Sequence, residues 1–263
     1  DKSGKLKKQV AKGNWEITDY YGYNPKTKEA YIQTTEKGSL NKVVSKLNIN
    51  SGKTTLISYP EGNNSASFSK SFNYFINTNS TAASPYKFVL KDANGKEIKE
   101  LQNNNELLSK LQKDNFVTKE FITIPNSVGD QLNAWIIKPK NFDPNKKYPL
   151  FMFQYSGPGS QQVSNSWDGG NGIWFEMLAQ KGYVVACVDG RGTGYKGAKF
   201  KKVTYKQLGK YEIEDQITAA KWFGNQSYID KSRIGIFGWS FGGYMTSLAM
   251  TKGADVFKMG IAV

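Results

Sequence analysis

Two kinds of hydrophobic pattern divide the chain near Gln102. Before it, short runs rich in Tyr, Ile, Val, Thr and Phe alternate with polar positions: WEITDYYGYN, EAYIQTTE, VVSKLNI, TTLISYP, FNYFINTN and YKFVLKD. Alternation at period two turns one face of a strand inward. The clusters NPKTKE, NINSGK, PEGNNS and DANGKE separate these runs, and their Ser-Gly and Asn-Gly pairs signal hairpins. Short antiparallel strands at such spacing predict a sandwich, barrel or propeller. SGKTTLISYPEG followed by SFSKSFNYFINTNS reads as one blade passing into the next.

Beyond Gln102, NNNELLSKLQKDN predicts a short helix with Leu107, Leu108 and Leu111 on one face. Apolar runs then alternate with helical patterns. EFITIPNS, LNAWIIKP and YPLFMFQYS read as strands, and IWFEMLAQKG as a helix that Gly182 ends. YVVACVDG is a fully buried strand. YEIEDQITAAKWFGNQ is a helix with Glu212, Glu214 and Asp215 near its positive end. RIGIFGW, FGGYMTSLAMTKG and KMGIAV complete a strand–helix–strand series. The expected architecture is a mostly parallel sheet with helices on both faces. Because the chain starts on a lysine-rich hairpin and stops at Val263 inside an apolar strand, it is expected to be an excerpt of a longer protein.

Composition narrows the chemistry. Hydrophobic residues make up 38%, with 6 Trp, 15 Tyr and 15 Phe, enough for a packed core. The net charge of +14 is carried almost wholly by lysines scattered among Asn, Ser and Thr, with Arg191 and Arg233 the two arginines. That is the pattern of a solvated surface, so no nucleic-acid partner is expected. No run reaches the ~18 apolar residues of a membrane helix, and no signal peptide is visible. Cys187 is the single cysteine, in an apolar run where an inert buried thiol is expected. With no histidine and one cysteine, a metal centre is not expected either.

The strongest chemical signal is GWSFG, Gly238 to Gly242, between a strand pattern and a helix pattern. That context is a nucleophile elbow: a sharp turn lifts the Ser240 hydroxyl above the sheet, and the glycines let strand and helix cross closely. The backbone N–H of Phe241 is then one oxyanion donor. FQYSGPGS ends an earlier strand, where Tyr155 can offer a phenolic O–H. Other motifs fall away. Gly192, Gly194 and Gly197 match a dinucleotide-binding pattern, with Glu212 at a ribose-binding distance, but KGAKFKKVTYKQ stands where a helix must open. SGKTT lacks the earlier glycine of a phosphate loop and reads as a turn, and Asp255 sits too soon after Ser240 for the third member of a triad.

Together, KKYPLFMFQYSGPGSQ, VVACVDGRGTGYKGAKF, LGKYEIEDQITAAKWF, RIGIFGWSFGGYMTSLAM and VFKMGIAV resemble the dipeptidyl peptidase IV branch of the prolyl oligopeptidase family. GNWEIT, SASFSKSFNYFINTNS and SPYKFVLKDANGKEI resemble the last blades of that family's propeller. The resemblance implies an α/β hydrolase preceded by the last antiparallel blades of a β-propeller, with residues 1–104 in the propeller and 105–263 in the first part of the peptidase domain. It makes Ser240 the nucleophile, Tyr155 and Phe241 the oxyanion donors, and Phe241 with Trp239 substrate-binding residues. The family commonly has tyrosine where Phe241 stands, so one polar contact is expected to be lost.

The implied activity is removal of dipeptides with Pro, or less well Ala, second, from peptides with a free N-terminus, through a seryl ester and without metal or cofactor. The family's triad Asp and His, and its amine-gripping acids, match no residue here, so the 263 residues alone are expected to be inactive. The resemblance allows for a homodimer of the full-length protein. By analogy it places that protein in the periplasm, or outside the cell, of a Bacteroidetes-like bacterium. An endopeptidase or esterase on the same fold, or a non-catalytic binding protein, are the alternatives.

Overall fold

A computed structural model describes residues 3–263, in two units. The first runs to Leu108 and also takes in Ser164–Trp167; the second comprises Ser109–Val163 and Asp168–Val263.

The first unit contains two four-stranded antiparallel sheets in up-and-down order. One is β1 (Ile17–Asn24), β2 (Glu29–Thr34), β3 (Val43–Asn48) and β4 (Thr54–Leu56). The other is β5 (Asn63–Phe68), β6 (Tyr74–Thr81), β7 (Ser84–Asp92) and β8 (Glu97–Gln102). Aromatic residues join them: Tyr31 stacks on Phe72 at 4.7 Å and leans on Phe68 at 4.7 Å, and Phe68 stacks on Phe75 at 4.9 Å. Buried Asn64 adds a polar clasp, donating to the carbonyls of Lys42, Tyr59 and Glu61.

Two details depart from the sequence reading. PEGNNS is not all turn, since β5 already begins at Asn63. EIKELQ forms β8 although all six of its residues are exposed; it is an edge strand, held by its ladder to β7 and carrying no inward apolar face to announce it. Ser164–Trp167 is held to this unit by Asn165, whose N–H donates to the Leu40 carbonyl at 2.8 Å and whose side chain accepts from the Ala82 N–H at 3.0 Å. SNSW gives no sequence cue to that excursion.

In the chain order α1 (Asn105–Lys113), β9 (Glu120–Pro125), β10 (Gln131–Ile137), β11 (Tyr148–Phe153), α2 (Gly170–Gln180), β12 (Val184–Asp189), α3 (Ala198–Lys202), α4 (Tyr211–Gly224), β13 (Ile229–Gly238), α5 (Phe241–Lys252) and β14 (Met259–Ala262), the expected alternation is present, with one addition: the five-residue α3 lies within KGAKFKKVTYKQ, a stretch the sequence reading left without a helix. The leucines of α1 share a face, but no residue of that helix is buried.

The sheet order is β14-β13-β11-β12-β10-β9. The first four strands pair in parallel and the last two antiparallel, so the sheet is mixed. Period two sorts its side chains between two covered faces. Trp135, Phe151, Phe153 and Phe237 meet Trp174 or Phe175 of α2. Ala134, Ile136, Leu150, Met152, Ala186, Val188 and Ile236 join a cluster with Phe223 of α4 and Met245 and Ala249 of α5. Helix α2 ends as expected: Gly182 takes φ +92°, its N–H reaches the Ala179 carbonyl, and the Tyr183 N–H reaches that of Leu178.

Cys187 is fully buried, and burial pushes its thiol well above the ordinary range. The acids of α4 do stand at its positive end, Glu212 and Glu214 in the first turn, with Glu214 exposed. Glu212 and Asp215 are buried, because the start of α4 packs under the loop after β12.

Candidate active site

Parallel pairing sets the site. Phe153 of β11 lies opposite Phe237 of β13, so the chain leaves both strands at the same carboxyl edge of the sheet. Gln154 and Tyr155 follow one strand; Trp239 and Ser240 follow the other, which Gly238 ends. Crevices at that edge are where such sheets bind ligands.

Ser240 takes φ +57° and ψ −116°, a conformation a non-glycine residue adopts only when its surroundings impose it. Three contacts do so. Its N–H donates to the Val263 carbonyl at 2.7 Å, the Val263 N–H returns to the Gly238 carbonyl at 3.1 Å, and the Gly242 N–H closes the turn on the Trp239 carbonyl at 2.8 Å. Ser240 is exposed, stands at the N-cap of α5 and makes no side-chain cap bond, so its hydroxyl is not used for capping. Phe241 opens the helix, where a backbone N–H has no intrahelical acceptor and the dipole favours negative charge.

The glycines are there for space. A Cβ on Gly242 would lie 2.6 Å from the Gln154 carbonyl oxygen and 3.3 Å from the Tyr155 Cα. Gly242→Ala is therefore expected to cost about 1–3 kcal/mol through overpacking, and to blunt any chemistry at Ser240 by prising α5 from β11. Urea unfolding beside a rate measurement checks both; an unchanged midpoint would contradict the crowding.

Tyr155 is half-buried beside this turn. Its ring lies 6.3 Å from that of Phe241, which meets Tyr244 edge-on at 5.4 Å, so the three rings form a row over the first turn of α5. Trp239 is exposed, its side chain outside that row. All four sequence-predicted residues, Tyr155, Trp239, Ser240 and Phe241, thus gather at one edge of the sheet. Asp255 lies apart, ion-paired to Lys221 at 3.2 Å on the surface.

Sequence reasoning missed what holds them. Gln154 is buried; its side-chain amide donates to the Gly242 carbonyl at 2.7 Å and to Thr246 Oγ1 at 3.2 Å, pinning α5 to β11. Gln216 of α4 donates to Ser156 Oγ at 3.2 Å and to the Val188 carbonyl at 2.9 Å. Ser156 also has a positive φ, +60°. The motif Gly192–Gly197, set aside as a dinucleotide site, has a structural part: the Gly159 N–H donates to the Gly192 carbonyl and the Gly194 N–H to that of Ser160, each at 2.8 Å. The signal in the sequence was a glutamine or aspartate interrupting an apolar run, as in FMFQY and VVACVD.

Among the described residues no group of three or more His, Cys, Asp or Glu side chains converges as metal ligands, and no helix is long and apolar enough to cross a membrane.

Known proteins bear on this geometry. Residues 173–263 match the prolyl oligopeptidase family, and residues 1–86 match the N-terminal region of dipeptidyl peptidase IV. The chain is 35% identical over 261 residues to dipeptidyl peptidase 4 of Trichophyton equinum, covering 96% of this chain and 33% of that protein. Over 170 residues it is 44% identical to human prolyl endopeptidase FAP, covering 64% of this chain and 22% of the relative. The crystal structure of Porphyromonas gingivalis dipeptidyl peptidase 4 superposes with a TM-score of 0.93 at 42% identity, over 100% of this chain and 37% of that one. The chain therefore spans about a third of the length of the dipeptidyl peptidases it matches.

Proposed function

The chain belongs to the prolyl oligopeptidase family, in its dipeptidyl peptidase IV branch, and from that premise we propose that it carries the nucleophile and oxyanion donors of a serine exopeptidase. In this reading residues 1–104 end the propeller and 105–263 begin the catalytic domain. The observation that carries the proposal is Ser240 at φ +57° on a strand–helix elbow, beside Tyr155 at the end of the neighbouring parallel strand.

The chemistry follows from those positions. Ser240 Oγ attacks the scissile carbonyl carbon, and its proton passes to an imidazole supplied from outside these residues, which contain no histidine. The negative oxygen of the tetrahedral intermediate accepts from the Tyr155 hydroxyl and the Phe241 N–H. Collapse expels the amine with the proton from the imidazole, and water then hydrolyses the dipeptidyl ester. The Phe241 ring, flanked by Tyr155 and Tyr244, offers an apolar wall to a penultimate proline or alanine. Peptides with a free N-terminus are the proposed substrates.

The test is hydrolysis of a Gly-Pro chromogenic substrate. The full-length protein that contains this chain is expected to release product, and the 263 residues alone are not. Silence of the full-length protein would sink the reading. The 44% identity to prolyl endopeptidase FAP favours one alternative, post-proline endopeptidase activity; faster cleavage of an N-acetylated substrate than of the free amine would select it. A homodimer and a periplasmic or extracellular location rest on the resemblance alone. Light scattering and cell fractionation of the full-length protein decide them.

A further inference from the structure

The loop from Tyr155 to Val163 belongs to no helix or strand, yet it carries the phenol assigned above to the oxyanion. It is held at three stations. Gln216 grips it at Ser156, and Gly192 and Gly194 bond it at Gly159 and Ser160. At the third, Asp189 accepts the Gln162 N–H at 2.9 and 3.1 Å on its two oxygens and the Val163 N–H at 2.8 Å. Trp135 Nε1 donates to the Gln162 carbonyl at 3.2 Å, so that residue is gripped from both sides.

The ladder explains the reach. Cys187 pairs with Phe153, the last residue of β11, so Asp189, two residues on, closes β12 next to where the chain leaves β11 for this loop. The carboxylate is buried, and burial raises its pKa from the ordinary 3.8 to about 6, against the pull of the Val163 and Gln162 N–H groups and of Lys196. Asn133 opposite on β10 is neutral, and Cys187 on its own strand carries a thiol kept protonated by burial.

The sign of this shift matters. The folded state takes up the Asp189 proton more readily than the unfolded state, so its contribution to stability is greatest in acid. That contribution is lost as pH rises through about 6. At neutral pH the ionised carboxylate therefore works against the fold while it grips the loop.

We propose that Asp189 is a positioning residue for Tyr155: its buried carboxylate anchors the backbone of Gln162 and Val163 and thereby fixes where the loop presents the phenolic hydroxyl. The proposal rests on Tyr155 being an oxyanion donor, and the experiment separates the two.

In the full-length protein, Gly-Pro substrate turnover is measured for Tyr155→Phe, Asp189→Ala, Asp189→Asn and both double variants. Tyr155→Phe is expected to lower kcat ~100-fold. Asp189→Ala is expected to lower kcat ~10-fold through displacement of the loop, with KM changed less than ~3-fold. On the Tyr155→Phe background the same change costs less than ~2-fold, because the group it positions is already gone. One oxygen, Oδ2, accepts both N–H groups, so asparagine keeps that acceptor while its amide faces the Gln162 N–H. Asp189→Asn is thus intermediate in rate, equally coupled to Tyr155, and at pH 8 no less stable than the parent. It carries the cycle if Asp189→Ala does not fold.

The proposal is overturned if either Asp189 variant slows the Tyr155→Phe protein as much as the parent. It is overturned equally if Asp189→Asn loses stability in step with rate, since that is a purely structural role. Tyr155→Phe at the parental rate would instead sink the oxyanion assignment itself, whatever the Asp189 variants do.

Discussion

Ser240→Ala in the full-length protein is expected to lower kcat on a Gly-Pro substrate by roughly 10⁴–10⁶-fold, leaving only what binding and the oxyanion donors contribute. The size of the effect follows from position. Ser240 is exposed on the elbow, its backbone is fixed by bonds to Val263 and from Gly242 to Trp239, and its hydroxyl makes no cap bond that alanine would break. The fold should therefore survive. Circular dichroism and KM should match the parent while turnover vanishes, and a variant retaining a tenth of the parental rate would remove Ser240 as nucleophile.

The largest expected effect on stability lies elsewhere. Asp215 is fully buried and accepts five bonds: from the Arg191 N–H at 2.7 Å, from Arg191 Nε at 3.0 and 3.1 Å, from Arg191 Nη2 at 2.7 Å and from Asn126 Nδ2 at 3.2 Å. Asp215→Ala would leave a guanidinium in the interior with one remaining acid partner, the half-exposed Glu214 at 3.2 Å. Breaking one side of a buried pair costs about 3–5 kcal/mol. A correspondingly lower urea midpoint is the measurement, and a shift below about 1 kcal/mol would mean that the pair is hydrated rather than desolvated. Gly190 shows how tight the joint is, since a Cβ there would lie 2.9 Å from the Asp215 Cβ.

How legible this was depends on the range of the interactions. The elbow could be read because its constraints are local: a positive φ at Ser240 and close approach at Gly238 and Gly242 leave a signature five residues long. The inner strands β10, β11 and β12 and the end of β13 could be read because burial on both faces writes itself as continuous apolar runs. The supports of the site could not. Gln154 meets Gly242 88 residues away, Gln216 meets Ser156 60 residues away, and Asp189 meets Gln162 27 residues away. No local pattern encodes such partners, and in the sequence Glu212 and Asp215 look like any acidic first turn of a helix. β8 was hidden for the opposite reason: an edge strand with no buried side gives no alternation to detect.

Trp239 stands next to Ser240 and, with 64% of its surface open, is the exposed member of the chain's six tryptophans. Trp135 and Trp167 are sealed and the other three are shielded in part. An anionic quencher such as iodide, drawn to a surface of net charge +14, will find this indole before the rest. The elbow thus has its own optical gauge. Whatever settles over the serine dims or protects that emission, and its arrival can be timed with light before any bond is broken.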